Sequence, residues 1–253
     1  MDISLSQWLL LALAALLVGI TKTSIGGLGV IVVALFAFVF PAKESTASST
    51  FLLIGGDIVA VLLFRTQADW RLIKSLLPAV VPGIALGALF MHLVDDKVML
   101  LGIGTCIGIT LLAQLVMRLR ARGVHSTAET GANPAVTIGT GMIAGFVTIV
   151  GNAAAAVMGL YLLATHTDKT RFVASAAWFY FIVNLIKAPF IISLGIVNWH
   201  HVVILLTLYP LVIVAGVFGK RFLSHMNQRQ FEGITLLTAA AACLVLLTRG
   251  ILA

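Results

Sequence analysis

Three ionisable residues, Lys22, Asp57 and Lys187, lie inside apolar runs rather than at their ends. Holding a charge in hydrocarbon is unfavourable by at least about 2.5–3.5 kcal/mol, so such residues face a partner or a watery cavity. Two cations and one carboxylate allow two outcomes. Asp57 pairs with one lysine and locks elements together, since paired charges are the usual form of buried charge. Beyond that pair, at least one lysine stays positive and is available to an anion.

The stretch "GITKTSIGGLGV", residues 19–30, offers a second kind of anion chemistry. A chain break near Gly26, Gly27 and Gly29 would start a new half-helix. Its first N–H groups have no internal partner and carry the positive end of the dipole. Glycine lets a ligand come close to the backbone, and Thr21, Thr23 and Ser24 add hydroxyl donors. In the second half Gly151-Asn152 breaks another long run, and Asn152 adds an amide donor. The competing reading is that these glycines serve close helix packing. Asn184 and Lys187, three apart in "FIVNLIKAP", share a helix face, and Pro189 is expected to kink that helix. "STASST", Ser45 to Thr50, brings Ser49 into the second span, and Ser175 is its echo. For these hydroxyls a bond to their own backbone is at least as good a reading as ligand contact.

The elements that must position these groups are membrane helices. The chain has 253 residues, 60% hydrophobic and 10% charged, against about 25% charged in soluble domains. Its net charge of +7 lies in short gaps between apolar runs, which sets topology and gives no face for nucleic acid. Six runs match the ~20 residues that span a bilayer, near 46–64, 72–93, 98–117, 172–194, 201–219 and 231–252. Two are too long, 7–40 and 136–164, and each breaks near its middle. The N-terminal run has no basic leader and is read as a retained span. Cys106 and Cys243 read as packing residues. The six histidines fall at predicted ends or loops, and no nucleophile–base pair or metal spacing is present, so neither an enzyme nor a cofactor is expected.

The chain therefore reads as all-α and polytopic, in two homologous halves, each a broken or hairpin helix followed by three spans. Residues 1–117 form the first repeat, 118–134 a cytoplasmic linker and 135–253 the second. Gly19 to Phe51 aligns with Gly145 to Ala177 without gaps, and "ADWRLIKSLLP" echoes "VNWHHVVILLTLYP". If every run crosses once, the basic residues divide evenly between the two sides. If each long run is a hairpin, only Lys43, Lys97 and Arg249 fall opposite the other basic residues outside the spans, the asymmetry the positive-inside rule expects. The hairpin reading places both termini outside and makes the halves inverted repeats, a recurring transporter design.

The chain resembles the sulfite exporter TauE/SafE family of membrane permeases. The resemblance rests on "GITKTSIGGLGV" followed by "ASSTFLLIGGD" in the first half, and on a "GNAA" turn followed by Ser175, Asn184 and Lys187 in the second. It covers nearly the whole chain and implies export of a small anion such as sulfite, sulfoacetate or a related organosulfur compound, from a bacterial inner membrane. The second half departs from the family pattern by lacking a triple-glycine turn. Together these readings give alternating access, with Lys22, Thr23, Ser24, Gly26, Gly27, Gly29, Ser49, Asn152, Ser175, Asn184 and Lys187 as substrate contacts. Asp57 holds a lysine or carries a coupling ion, a proton or sodium. The rival classes are an anion channel and a membrane protein that binds an anionic headgroup without moving it.

Overall fold

A computed structural model of the chain describes residues 4–24, 38–95, 134–152, 154–164 and 168–227 continuously, with scattered positions within 32–36, 97–112 and 229–248. Gly26, Gly27, Gly29 and nearly all of the 118–134 linker lie outside the described residues. Eight helices are described: α1 (Leu5–Thr23), α2 (Ala42–Phe64), α3 (Trp70–Leu93), α4 (Pro134–Gly151), α5 (Ala154–Ala164), α6 (Lys169–Ser193), α7 (Trp199–Leu206) and α8 (Tyr209–His225). No strand is found among the described residues. Helices α1, α2, α3, α4 and α6 are each long and apolar enough to cross a membrane.

The run 201–219 divides differently from the single span expected. It lies within α7 and α8, which bend by 52° and pass as a membrane span only as a pair. The break falls where "VNWHHVVILLTLYP" is three residues longer than its echo. Pro210 stands at the start of α8, where its missing N–H is harmless. By contrast α3 runs unbroken through Pro78 and Pro82, and α6 runs through Pro189 to Ser193.

Helices α4 and α5 fold back on each other. The hydroxyls of Thr137 and Tyr161 lie 3.4 Å apart, whereas 24 residues of straight helix would separate them by about 36 Å. The turn is made at Asn152, whose φ of 53° is the left-handed conformation that asparagine tolerates better than most side chains. Its N–H donates to Thr148 O at 3.0 Å and closes α4. In the first half, Val32, Phe36 and Phe40 share one buried cluster with Leu11, Ala14, Ala15 and Val18.

Small residues bring the helices to backbone contact, the usual solution where lipid supplies no drive to associate. A methyl at Gly19 would meet Val212 O, Ala215 and Gly216, and one at Gly219 would meet Ile20 and Thr23, so α1 and α8 run parallel. A methyl at Gly141 would meet Leu76 and Ala79, and one at Gly145 would meet Val80 and Ile84, so α4 and α3 run parallel too. Tyr209 Oη donates to Phe51 O and Lys220 Nζ to Leu63 O, which sets α8 parallel to α2. Ala177 packs by Ala60 and Val61 while Asn184 bonds Asp57, so α6 runs against α2.

The contacts recur in pairs related by the sequence echo. Each half's first helix, α1 or α4, packs on the other half's third helix, α8 or α3, and α2 packs on α6. Lys43 Nζ donates to Val94 O at 2.9 Å, and its echo Lys169 donates to Leu223 O at 3.0 Å and to Met226 O. Val94 and Met226 are the C-caps of α3 and α8. Asp69 and Asn198 are the N-caps of α3 and α7. Apolar side chains such as Leu62, Leu89, Phe218 and Phe222 point outward.

Candidate functional site

Two polar centres lie buried where α2 and α6 pack together. At the first, Lys22 Nζ stands 2.6 Å from Asp57 Oδ1 and Asn184 Nδ2 donates to Asp57 Oδ2 at 2.6 Å. The Lys22 ammonium also lies 4.8 Å from the centroid of the Tyr180 ring, a cation–π arrangement. Asp57 is fully buried. Gly56 gives Lys22 its path, since a methyl there would meet Val18 and the Lys22 stem. This is the internal pair anticipated for Asp57, and Lys22 is the lysine that fills it.

The second centre holds Lys187, also fully buried. Its ammonium donates to Thr148 O at 3.3 Å and to the Asn152 side-chain oxygen. Both acceptors are neutral, and among the described residues no carboxylate lies within ion-pair distance of it. Asn152 spans the gap to α2. Its Nδ2 donates to Thr46 O at 3.1 Å and to Ser49 Oγ at 3.0 Å, and Thr50 Oγ1 lies 3.5 Å from Oδ1. The hairpin turn sets the Asn152 backbone and α6 sets Lys187, so the pair is positioned by two elements. Ser48 Oγ is buried with no hydrogen-bond partner among the described residues, but it points about 150° around α2 from the face that Ser49 and Thr50 turn to Asn152.

The structure thus gathers Lys22, Asp57, Asn184, Lys187, Asn152 and Ser49. Thr23 and Ser24 turn back on their own helix: Thr23 Oγ1 donates to Gly19 O at 2.9 Å and Ser24 Oγ to Ile20 O at 2.6 Å. Thr23 lies against Gly219 of α8. Ser175 Oγ accepts from Asp69 N at 2.8 Å, which ties it to the start of α3 instead of to the centre.

Thr46 and Thr50 lie within the "STASST" stretch, whereas Tyr180 and Thr148 were missing from the sequence reading. Tyr180 had a signal, because 180, 184 and 187 share one helical face. Thr148 had none, because it contributes a backbone carbonyl. His201 stands in the first turn of α7; it is buried, its ring centroid lies 4.1 Å from that of Phe40, and it lies 3.7 Å from Glu44.

Two vestibules lie at the ends of α2, and neither is lined by a residue of the two centres. One, about 640 Å³, is lined by Thr66 to Trp70 and by Asp168, Thr170 and Arg171. The other, about 490 Å³, is lined by Pro41, Lys43, Glu44 and Gly195 to Trp199. The first sits at the end of α2 and the second at its start, so they lie on opposite faces of the bundle. Each joins the loop after one half's second helix to the start of the other half's second helix. Trp70 packs on Trp178 near the first, at 5.0 Å, and Trp199 on Phe51 near the second, at 5.6 Å.

Among known families, the model for the sulfite exporter TauE/SafE matches residues 11–246, nearly the whole chain. No curated protein and no solved structure matches.

Proposed function

This chain belongs to the sulfite exporter TauE/SafE family, and from that premise we propose that it carries a small anion across the bacterial inner membrane by alternating access, with Lys187 as the cation that receives it. The single observation behind this reading is a fully buried lysine whose acceptors among the described residues are neutral. A charge buried in a membrane span without an ion-pair partner is unfavourable unless a ligand answers it. Sulfite, sulfoacetate and related organosulfur anions are the expected substrates.

The halves are inverted repeats in this reading. Support comes from the helix directions: α1, α2 and α8 run one way and α3, α4 and α6 the other. The two vestibules mark, one at each face, the places from which access to the site would alternate in this reading. Arg65, Arg71, Lys74, Lys169, Arg171, Lys220 and Arg221 then share one face with Lys43 opposite, so the positive-inside rule makes the first vestibule cytoplasmic and both termini external. Residues 1–117 and 135–253 are the two repeats and 118–134 is the cytoplasmic linker.

Gly26, Gly27 and Gly29 complete the anion site from the first half. Asp57, already paired with Lys22, holds the halves together or carries the coupling proton or sodium. The test is flux in liposomes of purified protein, with labelled sulfite, sulfate, sulfoacetate, thiosulfate and acetate supplied in turn. Saturable, counterflow-competent flux of one anion, lost in Lys187→Met, is expected. Flux that Lys187→Met leaves intact would overturn the site.

A further inference from the structure

The two buried lysines are answered differently. Lys22 meets a carboxylate, a full opposite charge. Lys187 meets the carbonyl oxygen of a carboxamide, which offers only a partial charge. We propose that the Asn152 side chain is a built-in stand-in for the substrate: its Oδ1 occupies the position that an oxygen of the anion takes, and substrate enters by displacing it. This inference rests on the reading of Lys187 as the anion site and adds a residue that sets occupancy and selectivity there.

One feature makes the exchange feasible. A neutral acceptor is weaker than an ionised one, since charge-assisted hydrogen bonds with both partners ionised are the stronger class. An oxyanion therefore outcompetes the amide, whereas a neutral solute does not. Oδ1 and Nδ2 belong to one planar amide, so displacing Oδ1 also breaks the Nδ2 bonds to Thr46 O and Ser49 Oγ on α2, a cost that the anion must exceed. The ligand class that follows is a compact oxyanion, a sulfonate or sulfite.

The position has a telling counterpart. In the gapless alignment of the halves, Asn152 falls opposite Gly26, and glycine accepts the left-handed backbone that residue 152 adopts. Asn152→Gly thus removes the stand-in without straining the turn. Asn152→Asp replaces it with a true anion.

The experiment is equilibrium binding of sulfite and of sulfoacetate to the full-length protein in detergent. It compares wild type with Asn152→Gly, Asn152→Asp and Lys187→Met, each checked for folding by size exclusion and tryptophan fluorescence. Asn152→Gly is expected to bind about 3–10-fold more tightly than wild type, as a conformational tax is removed. Asn152→Asp is expected to weaken binding at least 30-fold. Lys187→Met is expected to abolish it. If Asn152→Gly weakens binding while Lys187→Met abolishes it, Asn152 is a direct ligand: the stand-in is overturned and the anion site stands. If Lys187→Met binds as wild type does, the anion site itself falls.

Discussion

Asn184 donates to Asp57 Oδ2 at 2.6 Å, joining α6 to α2 across 127 residues of sequence, while Lys22 of α1 holds the other oxygen. Three helices therefore converge on one buried carboxylate. Removing it by Asp57→Ala leaves an ammonium and an amide without their acceptor. Breaking one partner of a buried pair typically loses about 3–5 kcal/mol. Asp57→Ala should lower the thermal midpoint in detergent sharply, and the double variant Asp57→Ala/Lys22→Met should recover most of the loss. Equal midpoints for the single and double variants would refute the pairing.

Lys187→Met replaces a cation with an apolar side chain of similar length. Its partners are a backbone carbonyl that α4 can satisfy and an amide that keeps two other bonds, so the fold should persist. A charged hydrogen bond is worth about 1.5–3 kcal/mol, so losing one or two should cut anion flux by roughly 10–100-fold or more. Proteoliposome flux with a matched thermal melt separates lost function from lost folding.

The α3–α4 seam has little room. A methyl at Gly145 would run into the Val80 carbonyl, whereas among the described residues nothing lies within 4 Å of the same group at Gly139. Overpacking of this kind loses about 1–3 kcal/mol. Gly145→Ala should therefore destabilise and Gly139→Ala should not, as read by thermal unfolding.

Lys43 and Lys169 answer the last carbonyls of α3 and α8. A cation at a helix C-terminus contributes about 0.3–1 kcal/mol, more when partly buried. Lys43→Met and Lys169→Met should each produce a small, similar drop in thermal midpoint. A large drop from one and none from the other would mean that the two devices are not equivalent.

Gln67 and His200 are exposed beside opposite vestibules. In a background of Cys106→Ser and Cys243→Ser, Gln67→Cys should react with an impermeant maleimide only from the cytoplasm. His200→Cys should react only from outside. Labelling of both from one side would overturn the assignment of the two vestibules to opposite faces.

Much of the fold was legible because the bilayer imposes a length and a hydropathy on every span. Runs 46–64, 72–93 and 172–194 became α2, α3 and α6 with small shifts at their ends. The break in 136–164 could be read from Gly151-Asn152, because a left-handed residue needs Gly or Asn. The charge asymmetry pointed to hairpins, and Thr137 beside Tyr161 shows the second one. The bend between α7 and α8 was less legible, since "ILLTLYP" is apolar throughout and only Pro210 and three extra residues mark it.

By itself the sequence determined that Lys22, Asp57 and Lys187 must be answered by a partner or a watery cavity, since hydrocarbon would not solvate them, and that two positive charges face one negative. It could not assign the partners. Lys22 and Lys187 each lie inside an apolar run, and hydropathy carries no information on which helix faces which. Only the tertiary structure decided that α1 brings Lys22 to Asp57, and that the α4–α5 turn brings the Asn152 amide to Lys187. Those contacts join residues 35 apart in the chain in each case, and they depend on the rotation of each helix about its own axis. That rotation is set by where glycines let neighbouring backbones meet, a property of the packed bundle and not of any one segment.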